Sequence, residues 1–309
     1  MQVITNLDSY IKPTCAIVTQ GTFDGVHSGH KQILSNIVKL AKEQNGKSVL
    51  LTFHPHPRQV LYKDENTIKL LTTLDEKIDL FSKIGLDYLI ILPFDEVLSK
   101  MLGVNFVRDI LVEKIGVTTM VVGYDHRFGK NREASFEDLK EYADIYDFEV
   151  KEIAAHDIKE AIVSSTKIRQ SLLIGDIIHS NLFLDRPYSL TGIVVHGKNL
   201  GNTIGYPTAN IELLQNDKLI PLNGVYAVKV YYQNVEYGGM LNIGHNPTIE
   251  NAKWSIEVNI FNFNKSIYGE KITIFFIDRM RDEVKFNSLE ELKNQLALDK
   301  EIAEKILEK

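Results

Sequence analysis

Hydrophobic periodicity changes once along this chain, at Asp185-Arg186-Pro187, and the change separates two kinds of structure. Before it, short apolar runs bounded by turn residues alternate with stretches of helical spacing. After it, helical spacing nearly vanishes until the C-terminal end. Strands are expected in the first region at 16–18, 48–53, 87–92 and 117–122, with another near 148–150. Between them, helical stripes run through Ile33, Leu34, Ile37, Val38 and Ala41, through Ile78, Leu80, Phe81 and Ile84, and through Phe106, Val107, Ile110 and Leu111. Thr73-Leu74-Asp75-Glu76 has capping-box spacing, Gly85 is the matching stop, and further helices begin near Phe136 and Asp176. Such alternation predicts a parallel sheet covered on both faces, with ligands at the carboxyl ends of its strands. In the second region, closely spaced strands at 188–195, 224–232, 235–243, 253–263 and 267–277 predict an antiparallel barrel. Ser288 and Glu291 form a capping box for a closing helix with a buried stripe of Leu289, Leu292, Leu296, Ile302 and Ile306. The expected architecture is an α/β doubly wound parallel sheet over residues 1–182, followed by an antiparallel β-barrel domain with a C-terminal helix over 183–309.

At 309 residues the chain has length for two domains. A net charge of −6 argues against a nucleic-acid partner, which selects a basic excess. Cys15 is the only cysteine, so an intrachain disulfide is impossible and a cysteine zinc site is not expected. No apolar run has the length of a membrane span, and Met1-Gln2-Val3-Ile4 lacks the layout of a signal peptide. A cytoplasmic protein with no membrane partner is expected.

The first strand runs into Gln20-Gly21-Thr22-Phe23-Asp24-Gly25-Val26-His27-Ser28-Gly29-His30-Lys31 and then a helix. Glycines let a backbone approach a ligand closely, and a helix N-terminus presents N–H groups that favour phosphate. His27 and His30 stand at that mouth, where imidazoles can meet phosphates as charge develops. On spacing alone, a strand–helix turn with two solvated histidines is the better reading, and the rest of the chain decides. His54-Pro55-His56-Pro57-Arg58 is expected to be a rigid loop at a strand end, either a pocket wall or a stiff connector. Gly123-Tyr124-Asp125-His126-Arg127-Phe128-Gly129-Lys130 mixes glycine, carboxylate, cation and rings, as expected where a charged and partly aromatic ligand is gripped. In Val163-Ser164-Ser165-Thr166-Lys167-Ile168-Arg169, hydroxyl residues cap a helix whose first turn carries Lys167 and Arg169. Cations there oppose the helix dipole and are better explained by a bound anion.

Together, Gly-Thr-Phe-Asp-Gly-Val-His-Ser-Gly-His after a strand and Ser-Ser-Thr-Lys-Ile-Arg opening a helix resemble the nucleotidylyltransferase superfamily. The full set, with Phe53-His54-Pro55-His56-Pro57 and Asp125-His126-Arg127-Phe128-Gly129, resembles the adenylyltransferase module of the bacterial bifunctional riboflavin kinase/FAD synthetase family. That resemblance implies ATP as co-substrate, with His27 and His30 at the triphosphate. It places Gly21, Phe23, Asp24, Gly25, Ser164, Ser165, Thr166 and Arg169 on the nucleotide, and Phe53, His56, Pro57, Asp125, Arg127 and Phe128 on the flavin.

The second region carries Gly197-Lys198-Asn199-Leu200-Gly201-Asn202-Thr203-Ile204-Gly205-Tyr206-Pro207-Thr208-Ala209-Asn210. Its glycines suit phosphate, although the Walker ending is absent. Thr208 and Asn210 can face one way on an extended chain and join Mg²⁺, or can simply make turn hydrogen bonds. In Trp254-Ser255-Ile256-Glu257-Val258-Asn259-Ile260, period two puts Trp254, Ile256, Val258 and Ile260 on one face and Glu257 with Asn259 on the other. Glu257 is there a solvated carboxylate or a general base. Tyr206-Pro207-Thr208-Ala209-Asn210, Gly224-Val225-Tyr226, Asn242-Ile243-Gly244 with Pro247-Thr248, and Tyr268-Gly269 with Arg281-Asp282-Glu283 resemble the riboflavin kinase module of the same family. The resemblance implies Glu257 as base, Thr208 and Asn210 on Mg²⁺, Gly201 and Gly205 on the nucleotide and Arg281 on the flavin. Riboflavin, FMN and ATP are then the small-molecule partners and FAD the product. An alternative keeps adenylyl transfer alone, with the barrel a flavin-binding scaffold, because Asn202, Asn259 and Asp185 stand where the family usually has arginine, histidine and glycine.

Overall fold

The structure, a computed structural model, describes residues 1–62, 68–123, 129, 134–153, 163–197, 201, 204–245 and 254–308. Its first half holds six parallel strands: β1 (Gln2–Ile4), β2 (Ala16–Gln20), β3 (Lys47–His54), β4 (Tyr88–Pro93), β5 (Val117–Gly123) and β6 (Glu149–Ile153). They lie in the order β1-β4-β3-β2-β5-β6. Alternate strand residues enter opposite layers. Val18, Val49, Leu51 and Ile90 join Val107, Leu111 and Leu139, whereas Ile17, Leu50, Leu89 and Ile91 join Ile33, Leu34, Ile37 and Phe81. From β2 the chain builds outward through β3 and β4 on one side and through β5 and β6 on the other. The switch point therefore falls between β2 and β5, which puts the turn after β2 at the place where such sheets take ligands.

Most expected elements form, with instructive departures. Edge strand β1 was not expected, since three residues carry no readable period; it aligns along β4 through Gln2↔Tyr88 to Ile4↔Ile90. The expected rigid loop at 54–58 gives way to a short helix, Pro57–Leu61, because proline at a first helical position gives up an N–H that would be unpaired anyway. The helix Phe106–Ile115 is hydrogen-bonded as a π-helix and ends at left-handed Gly116.

Asp87 fastens β4 to the start of β3. Its carboxylate accepts from Lys47 Nζ at 2.9 Å, Ser48 N at 3.0 Å and Ser48 Oγ at 2.8 Å. Burial pushes its pKa up, but the hydrogen bonds from Lys47 and Ser48 outweigh this and hold it below the usual aspartate value. A depressed carboxylate stabilises the fold above its unfolded pKa, and that contribution is lost as pH falls through the folded one. Asp87→Ala is expected to cost about 1 kcal/mol at neutral pH. Thermal melts over an acid pH series should show the deficit shrinking as pH drops below the aspartate range.

The second half forms a closed antiparallel barrel from β7 (Tyr188–Val195), β8 (Ala209–Leu213), β9 (Gly224–Tyr232), β10 (Val235–Gly244), β11 (Ser255–Ile260) and β12 (Lys271–Arg281). Its order is β10-β11-β8-β7-β12-β9, closed by the β9–β10 pair. Leu190, Val228, Leu241, Ile243, Ile256, Val258, Ile274 and Phe276 are buried, as the alternation predicts. Trp254 is not part of that face: it precedes β11, is 40% exposed and donates from Nε1 to Asn223 Oδ1. β8 was missed because only Ile211 of its five residues is buried. β12 starts at Lys271 rather than 267, after a left-handed turn at Gly269.

The closing helix, Leu289–Leu307, covers the other face of β9 and β10, packing Ala303, Leu296 and Ile306 near Ala227 and Met240. Its buried seam differs from the expected stripe: Leu289 and Ile302 are exposed, and fully buried Asp299 takes a core position with Ala303. The capping box is also only half formed. Ser288 Oγ accepts from Glu291 N, but Glu291 Oε2 accepts from Asn287 N.

The chain divides into compact units Met1–Ser165 and Thr166–Lys309. Helix Ile177–Leu184 thus falls with the barrel, where Asn181 Nδ2 donates to Phe276 O and Asn181 Oδ1 accepts from Tyr188 N.

Candidate active sites

Beyond β2 the backbone makes a strained turn, with Phe23 at φ 46°, Gly25 at φ 87° and Val26 at φ 41°. Left-handed conformation at a β-branched residue is costly and persists only when its surroundings enforce it. Here they do. The buried Asp24 carboxylate accepts from Leu71 N, Thr72 N and Thr72 Oγ1 at 3.0–3.1 Å, and Gly25 N donates to Thr72 Oγ1 at 2.9 Å. Gly21 O accepts from Thr52 Oγ1 at 2.8 Å, and Thr22 O accepts from Lys77 Nζ at 3.2 Å. Burial pushes the Lys77 pKa down, opposed by the negative charge of Asp24. Phe23 turns into the core, edge-on to Phe81 and His30. Asp24 and Phe23 therefore brace the turn from beneath.

The braced turn delivers the histidine pair. His27 is the N-cap of helix Ser28–Glu43, its Nδ1 accepting from His30 N at 3.3 Å. An Nδ1 that accepts places the ring proton on Nε2, the donor a phosphate oxygen requires. The two imidazoles stack with centroids 3.5 Å apart and planes 19° from parallel. No acidic residue occupies the first turn of this helix, so its positive end is uncompensated from within.

Ser165 is brought to the same turn: its Oγ donates to Asp24 O at 2.8 Å. It is the first residue of helix Ser165–Leu173, directly after Ser164. Lys167 lies in the first turn as expected, while Arg169 begins the second; Thr166 and Arg169 belong to the second compact unit. On the strand next to β2, Phe53 meets Phe94 edge-on at 5.8 Å. His56 caps helix Pro57–Leu61, with Nδ1 accepting from Arg58 N and the Gln59 side chain closing the box. Asp125, Arg127 and Phe128 lie outside the described residues.

The barrel builds a second constellation on the face opposite its core. Register places Asn210 of β8 opposite Glu257 of β11, and Glu257 opposite Asn242 of β10. Directly paired residues share a face, so three oxygen-bearing side chains cross three strands in one row. Glu257 accepts from Ser255 Oγ at 2.9 Å and from Thr208 Oγ1 at 3.3 Å. Beside the row, Asn259 donates to Pro207 O at 2.7 Å and so steadies the residue before Thr208. At Gly197 a Cβ would lie 1.9 Å from Asn210 Nδ2, so the missing side chain is what admits the Asn210 amide. Gly201 O accepts from Tyr206 N, and Gly205 turns at φ 85°. Arg281 is engaged by Asp299, with Nε to Oδ1 at 2.8 Å and Nη2 to Oδ2 at 2.6 Å.

Both halves match known families. A family model described as FAD synthetase matches residues 11–167, and one described as riboflavin kinase matches 184–307. A bifunctional riboflavin kinase/FMN adenylyltransferase from Buchnera aphidicola subsp. Schizaphis graminum is 40% identical over 293 residues, 93% of each chain. The protein of the same description from Bacillus subtilis is 36% identical, over 93% of this chain and 91% of that one. This chain belongs to the bifunctional riboflavin kinase/FMN adenylyltransferase family. A crystal structure described as a macrolide-efflux protein from Streptococcus pneumoniae has the same fold, with a TM-score of 0.87 and 32% identity over 98% of both chains. No helix among the described residues of this chain is long and apolar enough to cross a membrane.

In the adenylyltransferase module the structure thus gathers Gly21, Phe23, Asp24, Gly25, His27 and His30 at one turn and helix start, with Ser165 hydrogen-bonded to it. In the kinase module it gathers Thr208, Asn210 and Glu257. Asn242 and Glu283 stand in the motifs that carry the resemblance without a role of their own, and Ser255 and Asp299 carry no functional signal in the sequence. The register of Asn242 against Glu257 becomes visible only in the folded barrel. Asn259 and Asp185, two of the departures from family pattern, have structural duties: Asn259 on Pro207, and Asp185 as the left-handed C-cap of helix Ile177–Leu184. Asn202 lies outside the described residues.

Proposed function

We propose that this chain makes FAD from riboflavin in two ATP-dependent steps at separate sites: the barrel phosphorylates riboflavin to FMN, and the parallel-sheet module joins FMN to the AMP part of ATP, releasing pyrophosphate. The supporting observation is that one chain holds a stacked histidine pair at a parallel-sheet switch point and a carboxylate in a polar row on a barrel, each within the matching family module.

In adenylyl transfer the nucleophile is an FMN phosphate oxygen, already anionic, so positioning and charge stabilisation supply the catalysis and no base is needed. His27 and His30 donate to triphosphate oxygens as negative charge moves onto pyrophosphate, and Ser164 and Ser165 line the same phosphates. Phe53, His56 and Pro57 are assigned to the flavin side.

In the kinase step the nucleophile is a neutral ribityl hydroxyl. Glu257 removes its proton, held in orientation by the Ser255 and Thr208 hydroxyls. Thr208 donates its proton to Glu257 and keeps oxygen lone pairs for a cation, and the Gly197 cradle admits the Asn210 amide, so the two residues fit a magnesium ion shared with phosphates. Bound there, Mg²⁺ would offset charge on the transferring phosphoryl group. The cytoplasm, which supplies ATP, is the assigned compartment.

Parallel incubations with ATP and Mg²⁺ test this reading. From FMN the expected products are FAD and pyrophosphate in equal amounts; from riboflavin, FMN and then FAD. FAD formed from FMN, with riboflavin left unchanged, would reduce the protein to an adenylyltransferase carrying an inert barrel.

A further inference from the structure

We propose that Asp299, on the C-terminal helix, is a positioning residue for riboflavin phosphorylation. The proposal rests on the reading of the barrel as the kinase and of Glu257 as its base.

Asp299 is 0% exposed, and a buried carboxylate is tolerable only when fully partnered. Its partners are Arg281 Nε and Nη2, which grip it bidentately, and Gln295 Nε2 at 2.9 Å. The remaining Arg281 nitrogen, Nη1, donates to the Asp282 carbonyl at 2.9 Å. One planar guanidinium thus ties the helix to the backbone immediately before Glu283. On the other side, Arg279 Nη2 holds the Asp282 carboxylate at 2.5 Å and Asn223 O at 2.6 Å. Glu283 leaves this clamped segment and accepts from Asn242 Nδ2 at 3.2 Å. Its carboxylate fills the space that a Cβ on Gly244 would occupy, so the strand end is shaped to receive it. Asn242, in turn, stands opposite Glu257 in the β10–β11 register.

Hydrogen bonds therefore lead from Asp299 through Arg281 to the Asp282 carbonyl, and the adjoining Glu283 holds Asn242, the register partner of the candidate base Glu257 on the neighbouring strand. Holding the helix in place does not require a charge. Apolar packing by Ala303, Leu296 and Ile306 already does so, and well-packed apolar pairs commonly stabilise as well as buried ion pairs or better. What a bidentate pair adds is direction, because the fork fixes the plane and azimuth of the segment it grips.

Three variants of the two-module chain test the proposal: Asp299→Asn, Asp299→Met, and the double variant Arg281→Met with Asp299→Met. Each is assayed for riboflavin kinase kcat and KM, for FMN adenylyl transfer as a control in the same chain, and for thermal midpoint. Asp299→Asn is expected to lower kinase kcat/KM by about 10–100-fold, the scale of a misplaced catalytic geometry, with adenylyl transfer unchanged. The double variant removes both charges, so its thermal midpoint should recover relative to Asp299→Met; because Arg281 is also assigned to the flavin, low kinase activity there supports the proposal only together with low activity in Asp299→Asn, which keeps Arg281. Activity that returns together with stability would reduce the bridge to a fastening and overturn the proposal, as would an Asp299→Asn kinase equal to the parent. If Asp299→Met does not fold, the comparison of Asp299→Asn with the double variant decides in the same way. A parent chain that makes no FMN from riboflavin would remove the function reading itself, and the proposal with it.

Discussion

Replacing His27 with alanine is expected to slow FMN adenylyl transfer by about 10²–10³-fold, the usual effect of deleting one preorganised donor to a developing oxyanion. Riboflavin phosphorylation by the same variant should match the parent. Two consequences of the change must be separated, because His27 both presents Nε2 and caps helix Ser28–Glu43 through Nδ1. Loss of the cap costs about 1 kcal/mol and affects folding. His27→Asn separates the two effects, since asparagine caps well but offers no imidazole donor. If the ring matters for chemistry, His27→Asn keeps the thermal midpoint and still loses the rate. Recovery of the rate in His27→Asn would make His27 a structural cap. The expected loss falls on kcat, because the donor acts mainly where charge grows, and initial rates at saturating FMN and ATP read it directly.

The second large effect is expected at Glu257. Glu257→Gln preserves size and one carbonyl oxygen to accept from Ser255 or Thr208, but cannot take the ribityl proton. Kinase kcat should fall by about 10²–10⁴-fold, the range for a general base, with FAD formation from supplied FMN unaffected. Because one amide oxygen still accepts a hydroxyl proton and the other hydroxyl can turn to accept from the amide nitrogen, a large fall in kcat with little change in the thermal midpoint would mark proton removal rather than disruption of the row. Steady-state assays coupled to ADP release provide the measurement.

The parts of the fold that could be read in advance are those where burial is one-sided and the segment is long enough to show a period. Ile33, Leu34 and Ile37 repeat at helical spacing, and Thr73 with Glu76 forms its box as expected. Strands β7 and β9 start and stop at the expected residues because turn residues flank an alternating or apolar run. Edge strand β1 and half-exposed β8 were illegible for the opposite reason, being short and buried at a single position each. Asp299 shows a different limit. An aspartate in a helix reads as a solvent-facing residue until its partner is known, and Arg281 comes from a strand that only the tertiary fold brings beneath it. The same holds for the first site. The motif 21–30 advertised glycine and histidine, but the clamp beneath it comes from Thr52, Leu71, Thr72 and Lys77, which carry no motif. Residue types at a turn were legible; the bracing that fixes their conformation was not.

If two independent sites divide the work, a crossed product assay of two variants separates them. His27→Ala and Glu257→Gln are each given riboflavin with ATP and Mg²⁺, and separately FMN with ATP and Mg²⁺, and the flavins are resolved chromatographically over time. His27→Ala is expected to accumulate FMN from riboflavin with almost no FAD, and Glu257→Gln to leave riboflavin untouched yet convert FMN to FAD at the parental rate. Loss of both reactions in either folded variant, or FAD formed from riboflavin by Glu257→Gln, would contradict that division of work.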